Sequence, residues 1–137
     1  MITKIDHIEI IVNDVKRHVE FYQKLGFKLL TWTDHHGGSA EVQLPGDNQP
    51  VIEFHTVLDE ENIGVNHIAF QADDVVATHG ELTADGIHFD AEPYRNRHTG
   101  RGNARFRDPD GWRLQLCDAK RKEPEKGVEE KDVVAKL

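Results

Sequence analysis

A chain of 137 residues, 37% of them hydrophobic, is enough for one domain with a real core, and its net charge of -8 excludes the basic face of a nucleic-acid binder. The single cysteine, Cys117, excludes an internal disulfide and a cysteine-built zinc site. The opening "MITKIDHIEI" lacks the apolar core of a signal peptide and no apolar run could span a bilayer, so a soluble cytoplasmic protein with no nucleic-acid or membrane partner is expected.

In chain order, the first expected element is a strand over about 4–12, with alternating apolar residues. Asp14 then offers an N-cap, and Val15, Val19, Tyr22 and Leu25 fall on one helical stripe. Gly26 stands where a left-handed C-terminal cap is wanted. Three short strands are expected near 27–34, 39–44 and 50–56, separated by the turn signals "HHGG" and "PGDNQP". The pattern then starts again. "KIDHIEIIVNDVKRHVEFYQKLGFKLL" from Lys4 and "GVNHIAFQADDVVATHGELTADGIHFD" from Gly64 align with a shift of 60, placing His7 on His67, Asp14 on Asp74 and Gly26 on Gly86. The second half repeats the order with a strand at about 65–72, a helix after Asp74, and strands near 87–92, 103–107 and 112–117. Its turns are "HTGRG" and "DPDG".

The expected class is therefore α+β. Two βαβββ modules, about 1–60 and 61–118, share a curved eight-stranded mixed sheet, a cup with its helices packed outside, in one domain over 1–118. Beyond it, eleven of the 19 residues of 119–137 are charged. This extension reads as a solvated tail; the alternative is a helix from Glu125 pressing Val128, Val133, Val134 and Leu137 on a partner subunit.

Alternation also assigns faces. His7 lies opposite Ile8 and Ile10; Glu53 and His55 oppose Ile52 and Phe54; His67 opposes Ile68 and Phe70; Gln115 and Cys117 oppose Leu114 and Leu116. Each strand has an oily face suited to a helix and a second face bearing a metal-capable side chain. In a shared cup His7, Glu53, His67 and Gln115 could converge, two from each half. Imidazole, carboxylate and amide oxygen suit one divalent ion such as Mn, Fe, Co, Ni or Zn, with positions left for water or a chelating substrate. His55 is a substitute ligand or a partner of one. Arg95, Arg97 and Arg101 belong to an arginine-rich stretch suited to an anionic small-molecule substrate, although alternating arginines also protect an edge strand. Trp32, His35, His36 and Tyr94 are candidates for the mouth of the cup.

The stretches "DHIEIIVNDVKRHVEFYQKLGF", "VIEFH", "GVNHIAFQADDV" and "DPDGWRLQL" resemble the vicinal oxygen chelate superfamily, which includes glyoxalase I, extradiol dioxygenases, and fosfomycin- and bleomycin-resistance proteins. The resemblance implies paired βαβββ modules around a divalent metal, commonly in a homodimer. It also implies that His7, Glu53, His67 and Gln115 occupy the four metal-binding positions. The family usually has glutamate at the last of these, serving in glyoxalase I as ligand and base. An amide can donate its carbonyl oxygen but takes no proton at neutral pH, which leaves Glu53 as the carboxylate of the set and the catalytic base. The expected function is a metal-dependent lyase or isomerase of the glyoxalase I type, whose substrate chelates the ion through two oxygens. An iron dioxygenase and a non-catalytic drug-binding protein are the alternatives. Serine hydrolysis is disfavoured, since Ser39 is the only serine and "GGSAE" is no nucleophile elbow.

Overall fold

The computed structural model describes residues 1–33, 38–119 and 127–137. It divides into two units, Ile5–Ile68 and Ala69–Leu137, the latter with Met1–Lys4. The boundary therefore falls inside two strands, β1 (Ile2–Val12) and β5 (Gly64–Ala72).

The first unit contains α1 (Val15–Lys24), β2 (Lys28–Thr33), β3 (Ser39–Gln43) and β4 (Val51–Thr56) beside β1. β4 runs parallel to β1, with Glu9 opposite Glu53, and antiparallel to β3, with Glu41 opposite Glu53; β3 pairs antiparallel with β2. The oily face is the even-numbered one, as alternation requires: Val12, Ala40, Val42 and Phe54 are buried under Val15 and Val19 of α1, with Ile10, Tyr22 and Ile52 packed around them. Leu25, expected on the same stripe, is 57% exposed because it caps the helix where the chain turns away.

Both helices are delimited by local chemistry. The Asp14 carboxylate accepts from the Arg17 amide at 3.0 Å, and in α2 (Val75–Ala84) Asp74 accepts from Ala77 at 2.9 Å. At the other end Gly26 has φ 101°, Phe27 N–H donates to Tyr22 O at 3.1 Å and Gly26 N–H to Gln23 O at 3.0 Å. Gly86, Ile87, Leu82 and Thr83 repeat the arrangement with φ 93° and distances of 2.9 and 3.0 Å. A left-handed residue lets two orphaned carbonyls find donors, and glycine adopts it without a Cβ clash.

The second unit contains β6 (Tyr94–Asn96), β7 (Gly102–Arg107) and β8 (Arg113–Asp118), with β7 pairing antiparallel to both neighbours. Ala72, Val75, Phe89, Ala104, Phe106 and Leu116 form its core, flanked by Leu82 and Leu114. The turn before β8 closes as expected: Gly111 N–H donates to Asp108 O at 2.9 Å and Trp112 N–H to the Asp108 carboxylate at 2.8 Å.

Two expectations are corrected. No strand spans 87–92; Phe89 makes an isolated bridge to Phe106, and the strand forms instead at Tyr94–Asn96. Pro93 lacks an amide hydrogen, so a ladder cannot run through it. Of the extension, the start of the alternative helix at Glu125 lies outside the described residues, and 127–137 form neither a free tail nor a helix. After a short 3-10 turn at Glu130–Asp132, β9 (Val134–Lys136) joins the edge of β6 antiparallel, Tyr94 facing Lys136 and Asn96 facing Val134. The described residues thus hold nine strands rather than eight, in the expected α+β class. Edge amides and carbonyls of β6 are satisfied this way. Among the described residues, no helix is long and apolar enough to cross a membrane.

Candidate metal centre

The polar face of the first unit concentrates its histidines and carboxylates. β1 contributes His7 and Glu9, β4 contributes Glu53 and His55, and β5 contributes His67. The Nε2 atoms of His7 and His67 stand 3.1 Å apart, the rings meeting edge to face at 79°. The Glu53 carboxylate lies 3.9 Å from His7 Nε2. His7 Nδ1 is 2.7 Å from the Asp6 carboxylate. His67 Nδ1 is 2.8 Å from both Asn66 Oδ1 and Glu9 Oε2. The other Glu9 oxygen is 2.6 Å from Nε2 of His55, whose Nδ1 donates to Thr56 O at 2.7 Å. His55 is 5% exposed.

The electrostatics follow from this packing. Burial pushes Glu9 upward, but hydrogen bonds from His55 and His67 outweigh it and hold the carboxyl well below the usual range. The same Glu9 bond pushes His55 up to about 9 against its own burial. Burial, then the nearby Glu9 charge, raises Glu53 above the ordinary carboxylate value.

Whether this set fits a divalent ion is decided by the ring nitrogens. A carboxylate only accepts, so Asp6 and Glu9 place the protons of His7 and His67 on Nδ1 and leave both Nε2 atoms as lone pairs. Two lone pairs 3.1 Å apart repel unless a proton or a metal ion lies between them. Two nitrogens about 2.1 Å from one ion and at right angles stand about 3 Å apart, so the separation matches adjacent ligands. With a carboxylate nearby, the donor set fits.

In the second unit, Gln115 Nε2 donates to Asn103 Oδ1 at 2.8 Å, and Asn103 Nδ2 donates to the Arg101 carbonyl at 3.0 Å. The carbonyl can only accept, so both amides are oriented, and the Gln115 oxygen is left as its donor end. The arginines of this unit bond to main-chain carbonyls: Arg95 to Gly100, Arg97 to Asp132, and Arg101 to Asp118. Arg101 is 6% exposed and also contacts the Cys117 sulfur at 3.1 Å, which makes it a prop of the fold. Tyr94 is buried and accepts from Arg105 at 2.6 Å. Trp32 lies on β2, 46% exposed. His35 and His36 lie outside the described residues.

Sequence reasoning missed Glu9, Asp6 and Asn66 as holders of the imidazoles. One signal for Glu9 was present: it shares the His7 face, two residues along.

Residues 4–116 match the profile of the Glyoxalase/Bleomycin resistance protein/Dioxygenase superfamily. No curated protein matches significantly. Similar solved structures include a methylmalonyl-CoA epimerase in complex with methylmalonyl-CoA and NH4+, 23% identical over 90% of this chain and 100% of that one, TM-score 0.70. The methylmalonyl-CoA epimerase from Mycobacterium tuberculosis is 22% identical over 87% and 89%, TM-score 0.72. A hypothetical protein from Bacillus halodurans is 23% identical over 89% and 98%, TM-score 0.70. At these identities the likeness concerns the fold. With the profile covering nearly the whole of both repeats, the chain belongs to the Glyoxalase/Bleomycin resistance protein/Dioxygenase superfamily.

Proposed function

We propose that this protein is a divalent-metal-dependent isomerase or lyase that moves a proton on a carbon beside a carbonyl, in a small substrate holding the ion through two oxygens. The observation that carries the reading is the pair of imidazole Nε2 atoms 3.1 Å apart, each ring turned by an acceptor at Nδ1. His7, His67 and Glu53 would hold the ion. Gln115 is proposed as the fourth ligand from the family pattern, supported by the bond that leaves its amide oxygen as the donor end. When bound, the ion supplies Lewis-acid polarisation of a substrate oxygen. Glu53 then takes the carbon-bound proton on a carboxylate oxygen, the C–H electron pair passing into the carbonyl system, and returns the proton to complete the isomerisation. Its burial suits this role, because a desolvated carboxylate holds a proton more firmly than one in water. Gln115 cannot share the task. Neighbouring structures named for methylmalonyl-CoA make that thioester, with a C–H between two carbonyl groups, the first probe. A homodimer, common in the family, is part of the proposal and is read by sedimentation.

The test strips the protein with a chelator and reloads it with Ni, Co, Mn, Zn or ferrous ion. Solvent deuterium entering the probe is followed by mass spectrometry. Exchange is expected to depend on the ion and to fall about 10²–10⁴-fold in Glu53→Gln. Protein that takes up no stoichiometric ion on reloading would overturn the reading. Oxygen uptake with ferrous ion and a catechol, without exchange, would replace it with the dioxygenase.

A further inference from the structure

We infer that Glu9 is a positioning residue for the metal centre: each of its carboxylate oxygens takes one imidazole, so that His67 is fixed with Nδ1 protonated and Nε2 bare, while the buried His55 ring, bonded to the other oxygen, holds Glu9 in place. This rests on the reading of His67 as a ligand and adds the residue that prepares it.

The internal repeat shows why such a residue is needed. With a shift of 60, Asp6–His7 of the first half corresponds to Asn66–His67 of the second. Asp6 is a carboxylate, and its contact at 2.7 Å can only accept the Nδ1 proton of His7. Asn66 is an amide, able to present either its oxygen or its NH2 to the ring, and so leaves the proton of His67 unassigned. The second half has lost the acceptor-only partner. Glu9, whose repeat counterpart is Ala69, restores it from the neighbouring half at 2.8 Å.

A carboxylate enclosed in this way needs compensation, and His55 supplies it. Both ring nitrogens of His55 face oxygens, Glu9 Oε1 at 2.6 Å and Thr56 O at 2.7 Å. The carbonyl and the ionised carboxylate are both acceptors, so the ring carries a proton on each nitrogen. Glu9 is thereby clamped on one oxygen and directs the other at His67. An amide at position 9 has one acceptor atom and could serve only one ring.

The test has two arms. Nitrogen-15 NMR of ion-free wild-type protein should show His67 protonated at Nδ1 and bare at Nε2. Cobalt(II) titration, read by its visible bands and by dialysis, should show affinity about 10–100-fold weaker in Glu9→Gln than in wild type. The His55→Gln variant, which keeps an N–H donor toward Glu9, should lose much less. A purely structural role for Glu9 would change melting but leave cobalt affinity unmoved. Protonation of His67 at Nε2 in the wild type overturns the inference without reference to any variant, even if Glu9→Gln fails to fold. Equal cobalt affinity in wild type and Glu9→Gln also overturns it while leaving the metal centre standing. A wild type that binds no cobalt overturns the proposed metal dependence and, with it, the purpose assigned to Glu9, whichever tautomer His67 shows.

Discussion

The side-chain amide at position 115 is held in a chain of bonds that has one consistent direction. Arg101 offers a carbonyl, Asn103 donates to it, and Gln115 donates to the oxygen of Asn103. Replacing Gln115 by glutamate removes that donor and sets a carboxylate against an amide oxygen. Asn103 must then turn over and give up the Arg101 carbonyl. A lost bond between buried groups, with one partner unsatisfied, costs about 1–3 kcal/mol. The ion-free Gln115→Glu protein is therefore expected to melt roughly 3–10 °C below wild type. Unchanged melting without ion would mean that the chain of bonds does not constrain Gln115.

Among the elements, β9 shows how local and distant information differ. Asp14, Asp74, Gly26 and Gly86 were legible because a cap acts on residues within one turn of itself. The oily and polar faces of β1, β4 and β8 were legible because alternation is a property of the strand alone. The pairing of β9 with β6 was not, since a short "VVAKL" after a charged run carries no mark of the strand edge it will meet. Nor was the displaced strand: alternation pointed to 87–92, where only Phe89 makes a bridge, and the ladder forms beyond Pro93 at Tyr94–Asn96. β9 is held by its ladder to β6, by Arg97 N–H on Val133 O at 2.7 Å, and by Leu137 lying near Gly102. Truncation after residue 126 should lower stability by about 1–3 kcal/mol and speed amide exchange at Arg95 and Arg97. Unaltered melting and exchange would show that the strand contributes nothing to its unit.

For the chain as a whole, duplication explains both what could be read and what could not. Matching His7 to His67 across the 60-residue shift identified the histidines as a pair, and the structure brings their Nε2 atoms together within the first unit. The same comparison hid Glu9, because a residue matched to Ala69 carries no repeated signal. Two of the positions at which the copies differ, Asp6 against Asn66 and Glu9 against Ala69, set the protons of the two rings. The central claim is that the paired imidazoles exist to hold a cation. It is tested most directly by metal analysis of the full chain after dialysis against zinc or cobalt, beside His7→Ala and His67→Ala. The account predicts one ion per chain in the wild type and a loss of that ion in each variant while the fold, read by circular dichroism, persists. A wild type free of bound ion, or variants that retain it in full, would contradict it.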